Sequence, residues 1–206
     1  TELFGLKQNG AVAFGDYKKP IKNAELLKIG LQYAQRFNGL IVSNPTDTNI
    51  GVQGGVHEGE ISTRNGLLGS PSLSEILQIQ RDVAVLEYTG GKLHIPCISS
   101  EEGVELIRKA KKKGLNLSCS VALANLVFTD EELIDFDTLY KLDPPLRSAN
   151  DRIALRQAVI DGTIDLVTSN HEPLNIELKH LEFGFANSGT TGLEAMYGVL
   201  STLFPE

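Results

Sequence analysis

Five times along this chain a short apolar run gives way to an amphipathic helix, and that alternation restricts the fold more than any other feature. The runs are "GAVAF" (10–14), "GLIVS" (39–43), "KLHIP" (92–96), "LNLSCSVAL" (115–123) and "TIDLVTS" (163–169). They place strands near 10–14, 40–43, 92–96, 116–121 and 164–168. Between them, "NAELLKIGLQYAQRF" (23–37) puts Leu26, Leu27, Ile29, Gly30, Tyr33, Ala34 and Phe37 on one helical face, with Asn23 as its N-cap. A helix over 70–90 begins with a capping box of Ser72 and Glu75, and one over 99–114 with Ser99 and Glu102. In the latter, Lys111, Lys112 and Lys113 before Gly114 read as a solvated C-terminal turn. Further helices are expected over 150–162 and roughly 191–203. The glycine-rich stretch 44–69 has no clear period and reads as a long loop, functional or hiding a short helix.

Strand and helix in alternation argue for a parallel sheet with right-handed crossovers. No linker or low-complexity segment interrupts it, so residues 1–206 read as one domain. Polar residues follow the strands: Asp16 and Tyr17, Ser43 and Asn44, Cys97 and Ser99, Asn170 and His171. Strand C-terminal ends carry the active site in a (β/α)8 barrel, and also in an open doubly wound sheet. Five strands cannot close an eight-stranded barrel, so either a preceding segment is missing or the sheet is open.

The formal net charge of −7 argues against nucleic-acid binding, which needs a basic surface. Cys97 and Cys119 do not make a disulfide scaffold and suit a reducing compartment. No membrane-spanning run or targeting signal is evident, and the chain reads as soluble and cytoplasmic.

The histidines promise little as a set. His94 and Cys97 sit three apart on a strand and so cannot share an ion. His94 reads as packed, and His57 and His180 as exposed. His171 stands at the rim, where orienting its loop by a hydrogen bond is favoured over metal binding. Cys97 lacks a basic neighbour and reads as inert. Arg147, in the rigid "DPPLRS", could hold a substrate carboxylate, although a structural ion pair is favoured. "GGVHEGE" does not join a strand to a helix in the dinucleotide pattern.

Several motifs together carry a resemblance. "FGDYKKPI", "GVHEGEISTRNGLLGSPSLSEILQIQRD", "LHIPCISSEEGVELIRKA", "LDPPLRSANDRIAL", "GTIDLVTSNHEP" and "GTTGLEAMYGVL" follow the order seen in dihydroorotases of the larger bacterial type. These are zinc-dependent members of the amidohydrolase superfamily that interconvert carbamoyl-aspartate and dihydroorotate in pyrimidine biosynthesis. The resemblance implies an α/β fold, a TIM (β/α)8 barrel of which this chain carries the last five βα units. The His-x-His strand of the family has no counterpart here. Carried over one by one, the family's metal carboxylate falls on Tyr17, with Asp16 beside it. Its next two metal histidines fall on Asn44 and Cys97. The proton-shuttling aspartate falls on Asn170, in "DLVTSNHEPL". A substrate-contacting histidine falls on Leu174. The family's substrate-binding asparagine becomes Asp143, which would repel an anion, and Arg147 keeps its place in that pocket.

Asn170 therefore retains the shape of an aspartate without its charge or basicity. An amide neither holds a cation strongly nor takes a proton from bound water. The resemblance implies a degenerate dihydroorotase homologue with no cofactor, Asp16 and His171 being the residual ligand candidates. Its role would be structural or in assembly, as a homo-oligomer or with aspartate transcarbamoylase. Two alternatives remain: a working cyclic amidohydrolase using Asp16, Cys97 and His171, or a small-molecule sensor using Asn44, Asn170 and Arg147.

Overall fold

The computed structural model describes residues 2–51 and 55–205. Helix α1 (Leu3–Gln8) precedes β1 (Ala13–Phe14), and α2 (Ala24–Gln35) leads into β2 (Leu40–Val42). An excursion follows, made of β3 (Val56–His57), α3 (Glu60–Asn65) and β4 (Gly69–Ser70). The chain continues through α4 (Ser72–Thr89), β5 (Lys92–Ile95), α5 (Glu101–Lys112), β6 (Leu117–Ala122) and α6 (Leu123–Val127). It ends with α7 (Ala149–Ile160), β7 (Leu166–Thr168) and α8 (Met196–Leu203).

Strands β1, β2, β5, β6 and β7 lie side by side in that order, every pairing parallel. In register, Phe14 pairs with Ile41, Ile41 with Leu93, and Leu93 with Leu117. That row is buried against Leu27, Leu31, Ile79 and Ile107 of the covering helices. Each such side chain contributes roughly 1.5–3 kcal/mol by leaving water. Because side chains alternate along a strand, His94 and Ser118 point the other way. There His94 Nδ1 meets Ser118 Oγ at 2.9 Å and Nε2 meets Ser120 Oγ at 3.3 Å, the packed role expected of it.

Asn23 caps α2 as expected, accepting from the Glu25 N–H at 2.8 Å. Of the face proposed for that helix, Leu27 and Ala34 are buried, but Leu26 and Ile29 are exposed, and Leu31 takes the core position instead. The capping box at Ser72 is not formed. Pro71 is the N-cap of α4, and Glu75 turns inward to a tertiary partner. In α5 the cap is Ser100, which accepts from the Gly103 N–H at 3.1 Å, one residue later than expected. Helix α7 starts from a reciprocal box of Ser148 and Asp151, just ahead of the expected start, and the last helix begins only at Met196. The stretch 44–69 holds the parallel pair β3–β4 and α3. Two-residue strands carry too little alternation to be seen in sequence. Among the described residues no helix is long and apolar enough to cross a membrane.

Candidate functional site

At the C-terminal ends of the strands lies a cavity of about 540 Å³. Asp16, Tyr17, Asn44, Cys97, Asp143, Arg147 and Asn170 all line it, so the fold gathers residues spread over most of the sequence. A second cavity of about 460 Å³ adjoins it, sharing Lys18, Gly55 and Asp143. Leu174 lines neither and packs instead beside Gly189. His171 also lies outside both; it is exposed, and its Nδ1 accepts from the Gly192 N–H at 3.4 Å. That contact is the loop-orienting role. His180 is exposed, as expected.

Three of the four positions matched to metal ligands have left-handed backbone without being glycine: Tyr17 (φ 56°), Cys97 (φ 50°) and Asn170 (φ 43°). Their side chains are otherwise engaged or unsuited to metal. Asn44 Oδ1 accepts from Thr46 Oγ1 at 2.9 Å. Cys97 Sγ lies 3.6 Å from Thr168 Oγ1, and burial pushes its thiol up, away from the thiolate a metal needs. Asn170 Nδ2 donates to the Asp143 carbonyl at 2.9 Å. Tyr17 is 76% exposed. Among the described residues no three His, Cys, Asp or Glu side chains stand together as a metal-binding group. A zinc ion takes three or four such donors, so the donor set of this cavity does not fit one.

Arg147 is buried, and two of its three guanidinium nitrogens are held inside the protein. Nε donates to Ser99 Oγ at 3.1 Å, and Nη1 donates to the Ser70 carbonyl at 2.8 Å and lies 3.2 Å from His57 Nδ1. It does not form the direct ion pair favoured from sequence, and it lines the cavity with Nη2 joined to none of the described protein groups. Its counter-charge acts through a hydroxyl. Ser99 Oγ donates at 2.5 Å to Glu75, whose carboxylate also accepts the Ser99 and Ser100 N–H groups and Ser100 Oγ. Gly103 is required beside it, since a Cβ there would fall 2.5 Å from Glu75 Oε1. Sequence reading missed this relay because Ser72 and Glu75 match the spacing of a local cap. The available signal was the polar stripe Glu75, Gln78 and Asp82 on the buried face of α4.

Two cations on the cavity walls are engaged as well. Lys18, following β1, forms an ion pair with Glu172, following β7. Lys141 Nζ donates to the carbonyls of Phe183 (2.7 Å) and Gly184 (3.1 Å) and lies 5.2 Å from the Phe183 ring centroid.

His57, expected to be exposed, is half-buried against Arg147. Burial and then the Arg147 charge hold its pKa below the usual 6.5, with Asp130, Asp151 and Glu58 pulling weakly the other way. The folded state thus prefers neutral His57. This contribution is complete above about pH 6.5 and is lost as pH falls, because the unfolded chain takes the proton first. We expect His57→Gln to flatten the fall in thermal midpoint between about pH 7.5 and about pH 5.5. An unchanged slope in that variant would leave His57 without this role.

Residues 1–103 match the family described as dihydro-orotase-like. The chain belongs to that family. It is 39% identical over 202 residues to the dihydroorotase of Pelotomaculum thermopropionicum, covering 98% of this chain and 47% of that protein. With the dihydroorotase of Syntrophus aciditrophicus it shares 38% over 203 residues, covering 98% of this chain and 48% of that one. The chain spans about half the length of these curated relatives. Among solved structures, the L-hydantoinase (dihydropyrimidinase) of Arthrobacter aurescens superposes with a TM-score of 0.82 at 22% identity, covering 97% of this chain and 47% of that one. The Saccharomyces cerevisiae dihydroorotase in complex with 5-fluoroorotic acid gives 0.72 at 13% identity, with 97% and 57% covered. The five parallel strands are thus part of a barrel of the amidohydrolase type.

Proposed function

We propose that this dihydroorotase-family chain no longer holds zinc or opens and closes the dihydroorotate ring, and serves as a structural or assembly module. One observation carries the reading. The positions matched to metal ligands come together at one cavity as a phenol, two amides and a thiol kept protonated by burial. The rest of the site is consistent with it, since Arg147 is anchored to Ser99 and to the Ser70 carbonyl. A working hydrolase built on Asp16, Cys97 and His171 finds no support in the geometry, because His171 stands outside the cavity.

The assembly part of the proposal rests on exposed apolar side chains at the two edges of the sheet. Val12 beside β1 is 79% exposed and Leu166 of β7 is 56% exposed. Open edges with apolar neighbours invite a partner. We assign that place to a second copy or to barrel segments outside this sequence, with aspartate transcarbamoylase as a further partner suggested by the family resemblance. Light scattering should give a mass above that of one chain, and a well-behaved monomer would remove this part of the proposal.

The catalytic part is tested by metal analysis of protein purified without chelator, together with assay of ring closure and ring opening in excess zinc. No stoichiometric metal and no turnover are expected. Restoring the acid alone, Asn170→Asp, should not create activity, since one carboxylate cannot assemble a metal centre among these neighbours. It should lower stability by about 1–3 kcal/mol, because a charged oxygen would replace the amide that donates to the Asp143 carbonyl. Turnover from that single change would overturn the proposal.

A further inference from the structure

Asp143 stands in the cavity wall without a partner. Among the described residues its carboxylate accepts no hydrogen bond and joins no ion pair; only its backbone carbonyl is held, by Asn170 Nδ2. Among the described residues the sealed side-chain polar atoms that lack partners are Asn125 Oδ1, Arg152 Nε and Ser188 Oγ. The Asp143 oxygens are not among them, and the residue lines both cavities, so the carboxylate opens onto that shared space. The other acids around it are accounted for. Glu75 is saturated by serine donors, Glu172 is bound to Lys18, and Asp16 is exposed to solvent. Of the cations in the walls, Lys18 is paired with Glu172 and Lys141 with backbone carbonyls, while Lys18 and Arg147 act on Asp143 only as nearby charges without a hydrogen bond to it. Lys19 and Lys22 are exposed, where solvent and salt screen them.

We propose that the cavity binds a small organic cation, an amidinium or primary ammonium on an apolar body, through a charge-assisted hydrogen bond to the Asp143 carboxylate. A partly buried carboxylate without a partner is neutralised most effectively by a donor that carries charge. Burial pushes the Asp143 carboxyl up, chiefly against the pull of Lys18, and a bound cation would pull it back down. The volume of about 540 Å³ suits a ligand of one or two rings. Pro45, Pro96, Pro144 and Pro145 supply rigid apolar wall, and Tyr17 adds an aromatic ring that a cation can lie against. The acid at this position thus gives the cavity a preference opposite in sign to that of a site for a carboxylate ligand. The inference does not depend on the assembly role.

Benzamidine and benzoate form a test pair, alike in shape and opposite in charge. Titration of the protein by calorimetry should show saturable binding of benzamidine and none of benzoate at the same concentration. Asp143→Asn keeps the side-chain shape and should weaken benzamidine about tenfold or more, whereas Glu177→Gln, exposed and outside both cavities, should leave it nearly unchanged. Equal binding of both probes, binding of neither, or undiminished benzamidine binding in Asp143→Asn would each overturn the proposal. If Asp143→Asn does not fold, the comparison of the two probes on the unmodified protein decides the matter.

Discussion

Replacing Glu75 by alanine is expected to cost about 3–5 kcal/mol of folding stability, a large share of what a domain of this kind has. The side chain is 4% exposed and its carboxylate collects the Ser99 and Ser100 N–H groups and both serine hydroxyls. Truncation leaves those donors without an acceptor and leaves Arg147 as a buried cation with no counter-charge relayed through Ser99. Glu75→Gln should cost less, because it keeps the shape and one acceptor oxygen. Urea unfolding of both variants measures this. A cycle with Arg147→Met should show coupling, since the two residues act through one hydroxyl. A loss below about 1 kcal/mol for the alanine variant would mean that the relay does not hold the strand ends together.

The second large effect is expected at the middle of the sheet. Leu93 on β5 is fully buried between Ile41 and Leu117, so Leu93→Ala should cost about 2–5 kcal/mol. Leu166 on the edge strand β7 is 56% exposed, and truncating it should change stability by less than about 0.5 kcal/mol if that edge is free. The pair of variants therefore reports on assembly as well as packing. A cost above about 1 kcal/mol at Leu166 would show the edge covered in solution, as the proposed second copy requires.

How far the sequence could be read depended on the range of the forces at each position. The five sheet strands and their helices were legible because apolar runs and local caps such as Asn23 write themselves into neighbouring residues. The gathering of Asp16, Tyr17, Asn44, Cys97, Asp143, Arg147 and Asn170 at one cavity was legible through the motifs of the family resemblance and the strand-end positions. What escaped was set by distant partners. Glu75 has the spacing of a cap to Ser72, yet its contacts come from Ser99 and Ser100. His57 has a glycine-rich neighbourhood that suggests exposure, and Arg147 covers it from far along the chain. The Lys18–Glu172 ion pair spans 154 residues and could not be inferred from either segment alone.

The left-handed backbone at Tyr17, Cys97 and Asn170 bears on how this surface meets a ligand. Such conformations cost a residue with a Cβ about 1–2 kcal/mol each, and they persist where surrounding structure dictates them. Here the dictating structure is the set of strand ends that gathers these three side chains at the cavity. Glycine would sit in the bends at less cost. The tyrosine, cysteine and asparagine therefore line the cavity as a rim whose backbone is set in advance, so a ligand entering it has little main chain left to order.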